Sequence, residues 1–258
     1  MSLRIANREF APRPWAVLLT AALLAAFVSA GWWQVGRARE KQAMIESFQR
    51  GTQSSVELKG DVTVAELPRY QHVRAEGHYE PGHQILIDNM PSQAGLPGFR
   101  VLTPFRREGS ERLLLVDRGW VPLGATRQDL PPVFVSPKFR AVSGRLDTLP
   151  APGVRVGDAG MAGDTSWPRV LNFPQQQDLE QALGARVESR IVLLDPAAPD
   201  GYERVWRPAM QFGPERHLGY AIQWFAFALV ALIIFIALSL RRLPGDAPPP
   251  TDSTSGPP

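Results

Sequence analysis

The sequence predicts a membrane protein of α+β class: two transmembrane helices flanking a β-rich soluble domain, antiparallel and barrel- or sandwich-like. Three observations predict it. Two uncharged apolar blocks, Trp15–Trp33 and Leu218–Leu240, each come close to the ~20 residues that carry a helix across a ~30 Å hydrocarbon core. Between them lies a polar stretch long enough to bury a core of its own. Within that stretch, short segments rich in Val, Leu, Ile and aromatics are punctuated by Pro and Gly, as strands and turns are.

In chain order, residues 1–14 form a tail with Arg4, Arg8 and Arg13, and the first span covers 15–36. Val28-Ser29-Ala30 also resembles a signal-peptidase site. The apolar run continues past it into Gly31-Trp32-Trp33, which favours a retained anchor. The soluble domain covers 37–215. Residues 37–50 continue the helix with charge, and strands are expected at 70–80, 84–90, 98–107, 111–120, 138–147 and 186–195. Residues 174–184 read as a helix, with proline at the start and glycine at the end. Residues 149–165 are a Pro/Gly-rich loop, the second span covers 216–242, and 243–258 form a disordered tail.

Two spans place both termini on one side. Arginines flank both ends of both spans, so charge does not say which side. The chain contains no cysteine, which excludes disulfides, thiolate metal sites and cysteine nucleophiles. Its five methionines are scattered and make a poor Cu(I) site. Net charge is only +3 with no basic run interleaved with aromatics, so no nucleic-acid partner is implied.

Motifs for hydrolysis, phosphate binding or zinc are absent. His72 and His78 share a strand face but stand ~20 Å apart, too far to share a metal, and His83 follows a Pro-Gly turn. Asp117-Arg118 reads as a strand end with a local ion pair. An enzyme is not the reading these residues favour.

The remaining candidate is the border shared by the two spans. Trp32, Trp33, Gln34 and Arg37 end the first; His217, Tyr220, Gln223 and Trp224 begin the second. His217, Tyr220 and Trp224 stand at i, i+3 and i+7, one helix face. If that face meets the first span, it forms a shallow aromatic pocket with one imidazole and two amides. A helix N-terminus disfavours imidazolium and leaves neutral imidazole, the form that ligates haem iron. Trp, Tyr and His also sit at membrane borders with no further role, so these residues alone leave both readings open.

Several segments resemble the Surfeit-locus family of cytochrome c oxidase assembly factors. Gly31-Trp32-Trp33-Gln34-Val35-Gly36-Arg37, with Lys41 following, is similar to the family's G-x-W-Q-x-x-R signature. Gly77-His78-Tyr79, then Gly98 to Pro104, then Val116-Asp117-Arg118-Gly119-Trp120-Val121-Pro122 follow in order. The last resembles V-N-R-G-W-V-P, with aspartate in place of asparagine. His217 to Phe225 is similar to H-x-x-Y-A-x-x-W-F.

The resemblance covers residues ~15–242 as span, β-rich loop and span. It implies a non-enzymatic helper in the bacterial inner membrane, with cytoplasmic termini and a periplasmic domain. The helper would assist insertion of haem a, bound transiently, into oxidase subunit one, with haem a synthase as a further partner and the lipid bilayer around both spans. His217 would be the axial ligand of the haem iron, with Tyr220, Trp224, Trp33, Gln34 and Arg37 around the cofactor. For such a site Arg37 or Arg216 offers a guanidinium to the propionates, although both side chains equally suit snorkelling to lipid headgroups. The alternative is a membrane-anchored scaffold for oxidase subunits that binds no haem.

Overall fold

A computed structural model of the chain describes residues 3–5, 8–60, 62–126, 129–150, 166–208, 210 and 212–242. Most of the Pro/Gly-rich loop and all of the 243–258 tail lie outside the described residues. The elements are β1 (Leu3–Ile5), β2 (Arg8–Phe10), α1 (Pro14–Arg50), β3 (Ser55–Glu57), β4 (His72–Tyr79), β5 (Ile85–Ile87), β6 (Gly98–Arg107) and β7 (Leu113–Pro122). They continue with β8 (Arg140–Asp147), β9 (Arg169–Leu171), α2 (Gln176–Leu183), β10 (Val187–Leu194), α3 (Pro214–Ser239) and β11 (Leu240–Arg242). The chain divides into two compact units, residues 1–43 with 210–258, and residues 44–209.

The second unit is a β-barrel with attachments. Strands β4, β6, β7, β10 and β8 pair in that circuit, and β8 closes back on β4. All of these pairings are antiparallel except β7–β10, which is parallel. The sequence expectation of an antiparallel sheet needs that correction, extended by parallel β3–β4 and β5–β9 at the margins. The reason lies in the connection. The chain leaves β8, passes through β9 and α2, and enters the barrel beside β7 in the same direction. The strand order is that of OB-type Greek-key barrels.

Alternation sorts the side chains. Val73, Ala75 and Tyr79 of β4 face a common core with Phe105, Leu114, Val116, Val142, Leu146 and Val192, while Arg74, Glu76 and His78 face outward. Strand β7 is buried on both faces, because Leu113 and Leu115 pack on a second core with Ile191, Leu193 and Leu179 of α2. That double burial explains its unbroken Leu-Leu-Leu-Val run. Helix α2 starts with a reciprocal cap between Gln175 and Asp178 and ends at Gly184 in the left-handed conformation (φ 63°).

In the first unit, α1 and α3 are long and apolar enough to cross a membrane. α1 continues past the apolar block through the charged segment to Arg50, and α3 ends at Ser239, where residues 240–242 turn into strand β11 beside β2. Along α1, Ala16, Thr20, Leu24, Phe27, Gly31, Gln34 and Ala38 are among the less exposed residues. Along α3, Pro214, His217, Ala221, Trp224, Phe225, Ala228, Ala231, Phe235 and Ser239 are less exposed. Spacings of three and four residues on both helices form the narrow seam of a coiled-coil pair.

Candidate functional site

The two span ends anticipated as neighbours do meet. His217 Nδ1 lies 2.8 Å from Gln34 Oε1. One turn before Gln34, Gly31 lies against the Phe225 ring; two turns before, Phe27 stacks on Trp224 at 5.9 Å and 28°. The pairing is antiparallel, and imidazole and amide meet near one end of the seam, with buried Ala38 and Pro214 one turn beyond them on their own helices.

Of the residues singled out above, the structure pairs His217 with Gln34, sets Trp224 two turns further along the same seam against Phe27, and leaves others aside. Tyr220 is 47% exposed. The i, i+3, i+7 face is not the buried one, because the seam steps from His217 to Ala221, whose methyl side chain permits close helix approach. Gln223 is likewise exposed, so one amide reaches the imidazole rather than two. Trp33 points away from the seam, more than half exposed, with the Arg37 guanidinium 5.6 Å from its ring. Arg37 itself pairs with Glu40 at 2.8 Å on an exposed surface, a contact weak enough to be exchanged for another carboxylate. Arg216 lies over the Phe212 ring at 4.2 Å.

The three loop segments of the resemblance fall on β4, β6 and β7, which pair side by side. Between Leu102↔Asp117 and Arg100↔Trp120, β7 places two residues against one of β6, a bulge at Arg118-Gly119. Gly119 has φ 112°, and Trp120 continues by pairing with Glu203. The bulge positions two buried charges. Asp117, fully buried, pairs with Arg100 of β6 rather than with adjacent Arg118. It also accepts the Gly119 N–H at 3.0 Å. Burial pushes its carboxyl above the usual range, and the Arg100 guanidinium opposes that rise.

Arg118, 1% exposed, pairs with no carboxylate among the described residues. It donates to Asp200 O at 2.7 Å, Gln84 Oε1 and Val133 O at 3.0 Å, and Phe134 O at 3.2 Å, with the Tyr202 ring 4.9 Å away. Burial lowers its pKa. Burial likewise raises the Tyr79 phenol to about 12, against the pull of Arg118, Arg140 and Arg204. No single segment of the sequence signals this cluster, whose partners come from three separate stretches of chain. It ties the 131–135 and 200–202 segments to the barrel and is architectural.

His72 of β4 bonds Ser55 Oγ at 2.9 Å and Asp195 Oδ2 at 2.8 Å, and Ser143 Oγ donates to the same carboxylate. These contacts join β3, β4, β8 and the end of β10. His78 lies on the same outward face and His83 pairs with Glu80 at 3.5 Å. Among the described residues no three metal-ligating side chains converge.

Comparison with known proteins finds a match to the SURF1 family over residues 21–229, from within α1 to within α3. A SURF1-like protein of Caenorhabditis elegans is 26% identical over 247 residues, covering 81% of this chain and 69% of that protein. One from Rickettsia conorii is 22% identical over 230 residues, covering 86% and 90%. Another from Monosiga brevicollis is 25% identical over 253 residues, covering 85% and 87%.

Proposed function

The chain belongs to the SURF1 family, a family of cytochrome oxidase assembly factors, and we propose that it holds haem a transiently through His217 for insertion into oxidase subunit one. Both apolar helices cross the bacterial inner membrane in this reading, with cytoplasmic termini and the barrel in the periplasm. The observation that carries it is the place of His217, where two apolar helices meet at their polar ends. Its ring nitrogen Nδ1 is engaged by Gln34, and Nε2 has no partner among the described residues.

That donor set fits a haem. A neutral imidazole nitrogen is an axial iron ligand, and the flanking Trp33, Tyr220 and Trp224 offer aromatic surface to an apolar macrocycle. Arg37, in contact with exposed Glu40 and Trp33, suits a propionate, which guanidinium binds bidentately. Bound iron porphyrin is the cargo. The chain's own residues supply the ligand atom, the apolar flank and a charge partner at the water boundary, and haem a synthase upstream would be the donor.

The full-length protein from haem-a-producing cells tests this by its reduced-minus-oxidised spectrum. Wild type is expected to carry a haem a Soret band and His217→Ala to lose it. An unchanged band in the variant overturns the ligand assignment and leaves a scaffold for oxidase subunits. Phe134 and Phe139, 77% and 63% exposed on the barrel, suit a scaffold as contact points. A reporter fused after Arg242 that is active only when exported would overturn the orientation.

A further inference from the structure

We infer that Gln34 is a positioning residue for His217: its amide oxygen holds the imidazole proton on Nδ1 and leaves Nε2 as the free lone pair. This rests on the reading of His217 as an iron ligand for its purpose, though the hydrogen bond stands without it. An amide oxygen carries no hydrogen, so across the 2.8 Å contact Nδ1–H must donate to Gln34 Oε1. A neutral imidazole has one N–H, so Nε2 is then unprotonated. Histidine in water prefers the opposite tautomer, with the proton on Nε2. Gln34 therefore imposes the tautomer that a metal-ligating Nε2 needs.

Ring orientation follows from the same bond. Metal-bound histidines donate their second N–H to a carbonyl, carboxylate or water, which fixes the ring and raises its basicity. Here the acceptor comes from the partner helix. Gly31 and Gln34 lie one turn apart on the seam, and the missing side chain at Gly31 admits the Phe225 ring, so the helices come close enough for the amide to reach. Gln34 acts through His217 rather than on the cofactor, while the neighbouring Trp33, turned outward, is left to flank it.

The test uses the full chain in lipid nanodiscs with 15N-labelled histidine and no haem, with His217→Ala to assign the signal among the four histidines. Wild-type His217 is expected to show a protonated Nδ1 and an unprotonated Nε2. Gln34→Leu should move the proton to Nε2, and Gln34→Glu, which keeps an acceptor oxygen, should restore the Nδ1–H form. After haem loading, the reduction potential should fall in the order Leu, Gln, Glu, because a stronger acceptor makes the imidazole a stronger donor to iron.

A wild-type Nε2–H tautomer, in which the amide donates instead, overturns the inference. So does a tautomer that Gln34→Leu leaves unchanged. Failure of the ligand reading looks different: His217→Ala retains the haem band while the tautomer still follows residue 34.

Discussion

Phe225 of α3 occupies the space where Gly31 of α1 has no side chain: a Cβ built on Gly31 would stand 2.6 Å from the ring's Cε1. Glycine inside a helix costs about 1 kcal/mol relative to alanine, and this close approach is what offsets it. Trp32 braces the same ring from the side, edge-on at 6.0 Å. Gly31→Leu is therefore expected to push α3 away and pull His217 from Gln34. The chain has no cysteine, so a Gln34→Cys/His217→Cys pair supplies its only thiols. A short bis-maleimide should join them in the Gly31 background, scored after proteolysis between the helices. Joining should drop several-fold with Gly31→Leu and return when Phe225→Ala is added; unchanged joining in Gly31→Leu would contradict the packing.

The bulge at Arg118-Gly119 makes a second demand on glycine. Gly119 has φ 112°, and its Cβ would lie 2.6 Å from Glu203 O, a backbone atom that cannot swing aside. Gly119→Ala should cost about 2–3 kcal/mol, combining strain and overlap. Gly82→Ala is the control, since nothing lies within 4 Å of its Cβ, and it should stay within about 0.5 kcal/mol of wild type. Thermal unfolding in detergent measures both; equal melting temperatures would refute the argument.

Much of this arrangement was legible in the residues, for identifiable reasons. Strand β6 begins and ends where expected, because Gly98 and Arg107 bound a continuous run of pleat-compatible side chains. Helix α2 announced itself through Pro174 and Gly184, the latter at φ 63°. The parallel β7–β10 pairing was not legible, since hydrophobic alternation reports which face is buried and not which strand lies alongside. The seam on α3 was misplaced by one residue at Tyr220. Helical spacing permits both i+3 and i+4, and the smaller Ala221 wins because it allows close approach. Sequence adjacency favours Arg118 as the partner of Asp117; only the folded sheet brings Arg100 beside it.

That Asp117–Arg100 pair sets a pH dependence. The folded-state pKa of Asp117 is raised above its unfolded value of about 4. Between those two values the folded chain binds more protons than the unfolded one, so this group makes stability fall as pH rises through that window. Asp117→Asn should remove that slope. Arg100→Met should steepen it and carry it to higher pH, because the guanidinium is what holds the carboxyl down. At neutral pH, loss of one partner of a buried pair costs about 3–5 kcal/mol, and the deficit should shrink in acid as Asp117 protonates. Denaturant unfolding across pH 3–8 reads it (a range set by about one unit below the unfolded carboxylate). A deficit for Arg100→Met that does not shrink in acid would contradict the assignment.

Arg118 gives the sharpest separation of charge from shape. Among the described residues its charge is met by carbonyls of Asp200, Val133 and Phe134 and the Gln84 amide oxygen, not by a carboxylate. Lysine would keep the charge but could not span that set, because its donors radiate from one nitrogen whereas guanidinium presents a planar fork. Each abandoned buried acceptor costs about 1–3 kcal/mol. Both Arg118→Lys and Arg118→Met should therefore lose about 3 kcal/mol or more, with lysine little better than methionine. The loss should appear first in the tethered segments, as faster amide exchange at 133–135 and 200–203 than in β6. A lysine variant as stable as wild type would show that charge alone suffices and that the forked set of acceptors is dispensable.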